Sequence, residues 1–201
     1  MATQSKTTDK IYLRNVRASF LKLDKPEAFE EGQTKKYQAT ALLDPSDADH
    51  AKLIKLIKAK AQELCEDAYG EVPEEIKDEP LKRLPFGLAD KHPKKKKYDG
   101  YEGMFYVTSA NKVKPAVANR AGQAIEPSEP QFPYSGCYVN MNISMWALLG
   151  PNKSKYGARV GANLIGIQFV RDGEAFGQAP PSAEEEFEAL EDNSPADANG
   201  S

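Results

Sequence analysis

The sequence predicts a mainly β fold: a small five-stranded barrel with one substantial helix, long loops and an acidic C-terminal tail. Five segments carry strand signals and one carries a helical pattern. The regular alternation of strand and helix that a parallel βαβ sheet requires is missing from the second half of the chain. The 201 residues suit one domain, which we place at residues 1–177, followed by a disordered tail at 178–201.

Two strand segments precede the helix. The first is Lys10–Phe20, where apolar and polar residues alternate before the pattern loosens, and a charged loop separates it from the second, Tyr37–Leu43. Asp44-Pro45-Ser46-Asp47 then supplies capping side chains and an early proline, which predict a helix start. Capping and the helix dipole explain the acids here, together with Asp49, better than a metal site does.

The helix is predicted from an apolar stripe at i, i+3, i+4 spacing, and it ends at Gly70. The residues of the stripe are Leu53, Ile54, Leu56, Ile57, Ala61, Leu64, Cys65 and Ala68. Four lysines lie mostly off this stripe, so we interpret them as a solvated face rather than as a binding surface. They are Lys52, Lys55, Lys58 and Lys60.

Three more strand segments complete the predicted barrel. A long loop rich in proline, glycine and charge covers residues 71–102, and strand signals resume at Gly103–Ala110. A second loop at 114–133 leads to the clearest strand, Cys137–Leu148, and a loop at 150–157 leads to the last, Arg159–Arg171. Gly161 and Gly166 inside that strand are typical of bulges or bends. Five strands of this kind favour an OB-like Greek-key barrel.

The charge is divided unevenly along the chain. Seven of the 30 acids lie after residue 182 with no base among them, which leaves 23 acids against 27 bases and a net charge of +4 in residues 1–181. A mildly basic body with an acidic tail suggests a polyanion as partner of the body, although simple segregation of surface charge gives the same pattern.

The chain interleaves cations with aromatic residues, the combination needed to bind single-stranded nucleic acid without sequence preference. Trp146 is the leading base-stacking candidate because the apolar face of its strand is already supplied by other residues. Alternatively, a loop or the helix covers Trp146 and the ring is ordinary packing. The aromatic candidates are Trp146, Tyr138, Tyr98, Tyr101, Tyr106 and Tyr156; the cationic candidates are Arg14, Lys94, Lys95, Lys96, Lys97, Lys112, Lys114, Lys153, Lys155 and Arg159.

Enzymatic signals are weak. The sequence has no phosphate-cradling loop motif, no zinc-protease motif and no nucleophile elbow, so we expect neither catalysis nor a cofactor. A metal-dependent nuclease using Asp90, Asp99 and Glu102 stays open as an alternative, but these acids lie in the long predicted loop. Cys65 and Cys137 are expected to be free thiols in a reducing compartment.

No apolar stretch approaches the roughly 20 residues that span a bilayer, and the start of the chain lacks the apolar core of a secretory signal. We therefore expect no membrane segment and a cytoplasmic location.

Four stretches resemble a known family, the bacteriophage single-stranded DNA-binding proteins. These are Lys10–Phe20, Tyr37–Pro45, Tyr134-Ser135-Gly136-Cys137-Tyr138 and the segment from Tyr156 to Arg171-Asp172-Gly173. The resemblance implies an OB-fold that binds single-stranded DNA in replication or recombination, in the host cytoplasm, with a flexible acidic tail. Strand annealing by a recombination mediator is an alternative that the same surface would support.

The tail carries the expected contacts with other proteins. Its low apolar content and uncompensated acids predict disorder, so that it can compete with DNA for the basic groove and can bind a replication protein such as a polymerase, helicase or primase. The tail residues expected to do so are Glu184, Glu185, Glu186, Phe187, Glu188, Leu190, Glu191 and Asp192.

Overall fold

The computed structural model describes residues 5–28 and 31–177, and its centre is a closed barrel of five strands. Around the barrel, these are β2 (Ile11–Glu27), β3 (Lys36–Leu43), β5 (Phe105–Asn111), β8 (Val160–Arg171) and β7 (Tyr138–Leu148), and β7 pairs again with β2. All pairs are antiparallel except β5 with β8. This strand order is that of an OB-fold, so the predicted barrel is confirmed.

Three short strands extend the sheet, and the sequence analysis missed all of them. β1 (Ser5–Thr7) pairs with β7, β4 (Phe86–Leu88) pairs with β5, and β6 (Ala116–Ala118) runs parallel to β8. Each has three residues, which is too short for an alternating pattern to be recognised.

The core follows the alternation of the strands. On β7, Val139, Met141, Ile143 and Met145 are fully buried, while the residues between them are only half-buried on the outer face, as predicted. The loosened pattern in β2 has a structural cause, because its pairing register shifts between Leu13 and Val16 and the intervening Asn15 has a positive φ of 51°. A second shift follows Ser19, next to Phe20 with φ 49°.

The predicted helix is α1 (Ala48–Tyr69). Its N-cap is Asp47, which accepts hydrogen bonds from the backbone N–H groups of Asp49 and His50 at 3.0 and 2.9 Å. At the other end Gly70 adopts the left-handed conformation, with φ 85°. The apolar stripe packs on the barrel except Leu56, which was expected in the stripe and is 42% exposed.

The predicted loop at 71–102 is largely ordered, which corrects the sequence interpretation. It contains α2 (Glu74–Asp78), α3 (Pro80–Arg83), β4 and two 3₁₀ turns, Ala89–Lys91 and Lys95–Lys97. Tertiary contacts hold these short elements: the guanidinium of Arg83 donates to the carbonyl oxygen of Ala158 at 3.2 Å and to Oε2 of Glu79 at 3.3 Å. The loop predicted at 150–157 likewise forms a short helix, α4 (Gly150–Tyr156).

The segment after β4 covers part of the barrel's outer surface. Leu42 of β3 and Tyr106 of β5 point away from the barrel interior, yet they are buried in a small second core with Ala89 and Tyr101. None of the helices within residues 5–28 and 31–177 has the length and apolar character needed to cross a membrane.

Candidate nucleic-acid interface

A groove on the outer face of the barrel is built around Trp146. The residue lies near the end of β7, on its outer face, and is paired with Gly161 of β8. A side chain at position 161 would overlap the indole ring, so this glycine allows the ring to lie directly over the backbone of β8. Gly161 therefore makes room for an aromatic ring, whereas Gly166 lies beside a shift in the β7–β8 register, as expected for a bulge.

Three exposed cations line the same groove, which has a volume of about 660 Å³. Lys36 begins β3, Lys112 follows β5, and Arg159 precedes β8. None of the three forms an ion pair with the part of the chain that the structure describes. The groove therefore lies on the outer surfaces of the second and third barrel strands, β3 and β5, and beside the connection between the fourth and fifth, β7 and β8. OB-folds bind oligonucleotides at this place.

The sequence analysis predicted three groove residues, Trp146, Lys112 and Arg159, but it missed Lys36. Lys36 lies beside Lys35 at the end of a charged loop, and nothing in the sequence distinguishes it from other surface lysines. Only the register of β3 with β5, where Tyr37 pairs with Asn111, brings it next to Lys112.

A second exposed aromatic surface lies at β2. The rings of Phe20 and Tyr98 meet edge to face with centroids 4.9 Å apart, and they are 41% and 38% exposed. With Lys97 they line a depression of about 360 Å³. Tyr98 and Lys97 were predicted site residues, whereas Phe20 was missed because its exposure depends on the irregular backbone of β2.

Tyr138 lies in a cation–aromatic cluster at the start of β7. The guanidinium carbon of Arg171 is 3.5 Å from the centre of the Tyr138 ring, and that of Arg17 is 6.0 Å away. Arg17 also contacts the ring of Phe176 at 4.0 Å and donates to the carbonyl oxygen of Glu174 at 2.7 Å. Arg171 therefore occupies ring surface of Tyr138 that a base would need.

Two predicted stacking residues are corrected by the structure. Tyr101 and Tyr106 are buried in the second core, so neither ring presents a face on which a base can stack. Burial raises the pKa of each phenol to about 12. Tyr101 donates to Oγ of Ser19 at 3.1 Å, whereas the Tyr106 hydroxyl has no hydrogen-bond partner in the described residues.

The four-lysine run is divided between two environments. Lys95 lies with Nζ 4.7 Å from the centre of the Tyr106 ring, and burial lowers its pKa. Lys94, Lys96 and Lys97 are exposed. The run therefore offers three cations to solvent, and the fourth helps to cover the second core.

The other predicted cations lie outside the Trp146 groove. Arg14 lies over the ring of Tyr12 at 5.2 Å, and Lys114 pairs with Glu126 at 3.9 Å. In α4, Lys153 and Lys155 lie over the rings of Tyr69 and Tyr156 at 5.2 and 5.0 Å. Tyr156, at the end of α4, is 57% exposed. It precedes Arg159 by three residues in the chain, but it does not line the Trp146 groove. The predicted tail residues, 184–192, lie outside the described residues.

A closed OB barrel whose surface groove combines a tryptophan with cations defines a single-stranded nucleic-acid-binding protein. Residues 9–198 match the family described as the single-stranded DNA-binding protein of Enterobacter phage Enc34. The chain belongs to this family.

The chain is also similar to individual phage proteins. The chain is 33% identical over 181 residues to the putative protein p50 of Acyrthosiphon pisum secondary endosymbiont phage 1, covering 90% of this chain and 94% of that protein. The bacteriophage Enc34 single-stranded DNA-binding protein, solved in complex with single-stranded DNA, is 26% identical with a TM-score of 0.69, covering 84% of this chain and 89% of that one. A C-terminal truncation of the Enc34 protein matches at 25% identity and a TM-score of 0.66, covering 83% and 88%.

Proposed function

We propose that this chain binds single-stranded DNA without sequence preference in phage DNA replication or recombination, and that the strand lies in the Trp146 groove. The observation that carries the proposal is the indole ring lying over Gly161 in a groove that three cations also line. Every base has a flat face, so a stacking ring accepts any base, and the cations attract the phosphates that all sequences share.

The same geometry explains a preference for single strands over duplex. The bases of a duplex are stacked inside the helix, and a ring in a groove reaches a base only when that base is unstacked. Phe20, Tyr98 and Lys97 repeat the aromatic–cation combination on another part of the barrel surface. We propose that a longer strand also contacts this surface.

Fluorescence anisotropy with labelled oligo-dT, oligo-dC and a duplex of equal length tests the proposal. We expect similar affinities for the two single strands and much weaker binding of the duplex. Duplex binding as tight as single-strand binding, or a large preference for one base, would contradict it.

We also propose that the protein has no catalytic activity. The nuclease alternative needs acids that lie close together. One surface depression is indeed lined by Asp90, Asp99 and Glu102. However, Lys96 and Lys97 share that depression, and Asp90 accepts a hydrogen bond from the Gly103 N–H at 3.0 Å. Within residues 5–28 and 31–177, no cluster of three or more acids, histidines or cysteines is arranged to hold a metal ion. Labelled DNA incubated with magnesium and the protein should therefore remain intact.

We further propose that residues 1–177 form the DNA-binding domain and that the acidic tail contacts replication proteins such as a polymerase, helicase or primase. The protein would act in the cytoplasm of the host. The charge difference between body and tail supports this division, because a basic partner surface attracts the seven uncompensated acids of the tail, whereas the body has a net positive charge.

A further inference from the structure

An apolar groove lies between α1 and the segment that follows it, and DNA binding leaves it unexplained. Its volume is about 370 Å³. Ala61 and Cys65 of α1 form one wall, and Ile76, Leu81 and Leu84 form the opposite wall. The two rings that line it, Phe86 and Phe105, stack on each other and are only 6% and 1% exposed, so neither presents a face to a base. The groove's chemistry therefore suits apolar side chains rather than DNA.

Cations border this groove and acids do not. Lys58 of α1 and Lys91 of the first 3₁₀ turn are among its lining residues, and no aspartate or glutamate is. Both lysines are exposed, and neither forms an ion pair within the described part of the chain. An apolar floor with a cationic rim is complementary to an acidic segment that carries a few apolar residues.

The C-terminal segment of this chain has that composition. Phe187 and Leu190 are its only large apolar residues after position 177, and they are separated by two residues within the acidic run from Glu184 to Asp192. Apolar residues at i and i+3 share one face of a helix, and helical peptides use this spacing to anchor in apolar grooves.

The chain leaves the described structure beside the Phe20–Tyr98 depression, which Phe176 and Gly177 line. The second core connects this point to the apolar groove. Phe176 packs against the second core, which includes Ala89. Ala89 is flanked by Leu88 and lies two residues before Lys91, and both of these line the apolar groove. The ten residues from Gly177 to Phe187 can span up to about 33 Å when extended, so the connection does not limit reach.

We infer that the groove between α1 and α3 is a binding site for the chain's own C-terminal segment, with Phe187 and Leu190 in the apolar floor and the neighbouring glutamates near Lys58 and Lys91. This site adjoins the Trp146 groove, with which it shares only Leu84. It gives the tail a position in which it leaves the DNA groove free, and a partner protein that binds the tail must first withdraw Phe187 and Leu190 from it.

Methyl-resolved NMR of the full-length protein without DNA tests the inference. Wild type is compared with the double variant Phe187→Ala, Leu190→Ala, whose changes lie outside the described residues and keep every acid. We expect the methyl signals of Leu81 and Leu88, which line the apolar groove and not the Trp146 groove, to differ between the two proteins. The methyl signals of Val113 and Val160, which line the Trp146 groove, should coincide.

A second variant changes the site instead of the tail. Lys91→Glu at an exposed position reverses one rim charge, and we expect it to move the Leu81 and Leu88 signals towards those of the double variant. Coinciding groove signals in wild type and double variant would overturn the inference, as would differences confined to Val113 and Val160. Differences that grow with protein concentration would also overturn it in favour of the tail of a second copy. No DNA is present, so these outcomes are independent of the proposed DNA binding.

Discussion

At the scale of single residues, the proposed function depends most on Trp146. Trp146→Leu removes the flat ring and keeps an apolar side chain, and we expect it to weaken binding of oligo-dT by about 1 to 3 kcal/mol. The matched variant Trp146→Phe keeps a ring and should retain most of the affinity. The measurement is an oligo-dT titration followed by anisotropy, with circular dichroism to verify folding. Equal affinities for wild type and Trp146→Leu would remove the residue from the site.

Tyr101 and Tyr106 form a natural pair for a stability test, because both rings are buried and only one hydroxyl has a partner. Tyr106→Phe removes a buried hydroxyl without a hydrogen bond, and we expect it to raise the free energy of unfolding by about 1 kcal/mol. Tyr101→Phe breaks the bond to Ser19 and should lower it by a similar amount. Urea denaturation at pH 7 measures both, and a destabilised Tyr106→Phe would show that its hydroxyl has a partner.

The same tyrosines predict a pH dependence. Their pKa is raised to about 12 in the folded protein, above an ordinary value of 10.0. Between these values the two tyrosines lose protons in the unfolded chain and keep them in the folded chain, so their contribution to the free energy of unfolding is unchanged below pH 10 and falls as the pH rises towards 12. Burial also raises the pKa of Cys137 from 9.0 to about 11, which adds a fall that begins at pH 9. Denaturation curves at pH 9, 10 and 11 should show this fall, and the double variant Tyr101→Phe, Tyr106→Phe should show less of it.

The sequence identified the right residue types more reliably than their exposure. Trp146 was placed on the outer face of β7 because strict alternation over a long strand assigns each side chain to a face. Tyr106 also points outward from its strand, but the segment around Ala89 and Tyr101 covers it. That cover is a tertiary contact between residues distant in the chain, and no local pattern encodes it.

At the scale of elements, both ends of α1 were predictable because the residues that begin and end a helix lie beside it in sequence. Asp47→Ala removes the side chain that accepts the N–H groups of Asp49 and His50, and we expect it to lower the free energy of unfolding by about 1 kcal/mol. Asp49→Ala is the matched control, because Asp49 in the first turn accepts no capping bond and has only its interaction with the helix dipole and an exposed ion pair with Lys52 at 3.7 Å. It should therefore lower stability by less than Asp47→Ala. Equal effects in urea denaturation would argue against capping by Asp47.

The elements that the sequence missed share a physical reason. Helices α2 and α3 have five and four residues, too few to be stable alone, and they persist because Arg83 and the apolar side chains on α1 hold them. The same holds for β1, β4 and β6, whose strand partners β7, β5 and β8 are separated from them in sequence by other elements. The proline, glycine and charged residues at 71–102 have a local tendency to form a loop, and long-range contacts override that tendency.

At the scale of the whole molecule, the barrel is the frame that gathers the groove cations. Lys36, Lys112 and Arg159 are far apart in sequence and meet only because β3, β5 and β8 are neighbours. If each neutralises one phosphate, the logarithm of the oligo-dT binding constant should fall with the logarithm of salt concentration at a slope of about −2, at about −0.7 per phosphate on a single strand.

Single substitutions measure how much each cation contributes to that slope. Lys112→Ala should make it shallower by about 0.7, whereas Lys52→Ala on the solvated face of α1 should leave it unchanged. Titrations at four salt concentrations measure both. A slope near zero in the wild-type protein would show that phosphate contacts contribute little to binding.

The most direct test of DNA binding in the Trp146 groove is photochemical cross-linking. An oligo-dT that carries one 5-iodouracil is irradiated in complex with the full-length protein, and the modified peptide is identified by mass spectrometry. We predict a cross-link to Trp146, absent in Trp146→Leu, with a second to Phe20 or Tyr98 when the oligonucleotide is long enough to reach both surfaces. Efficient cross-linking that never includes Trp146 would contradict the central claim.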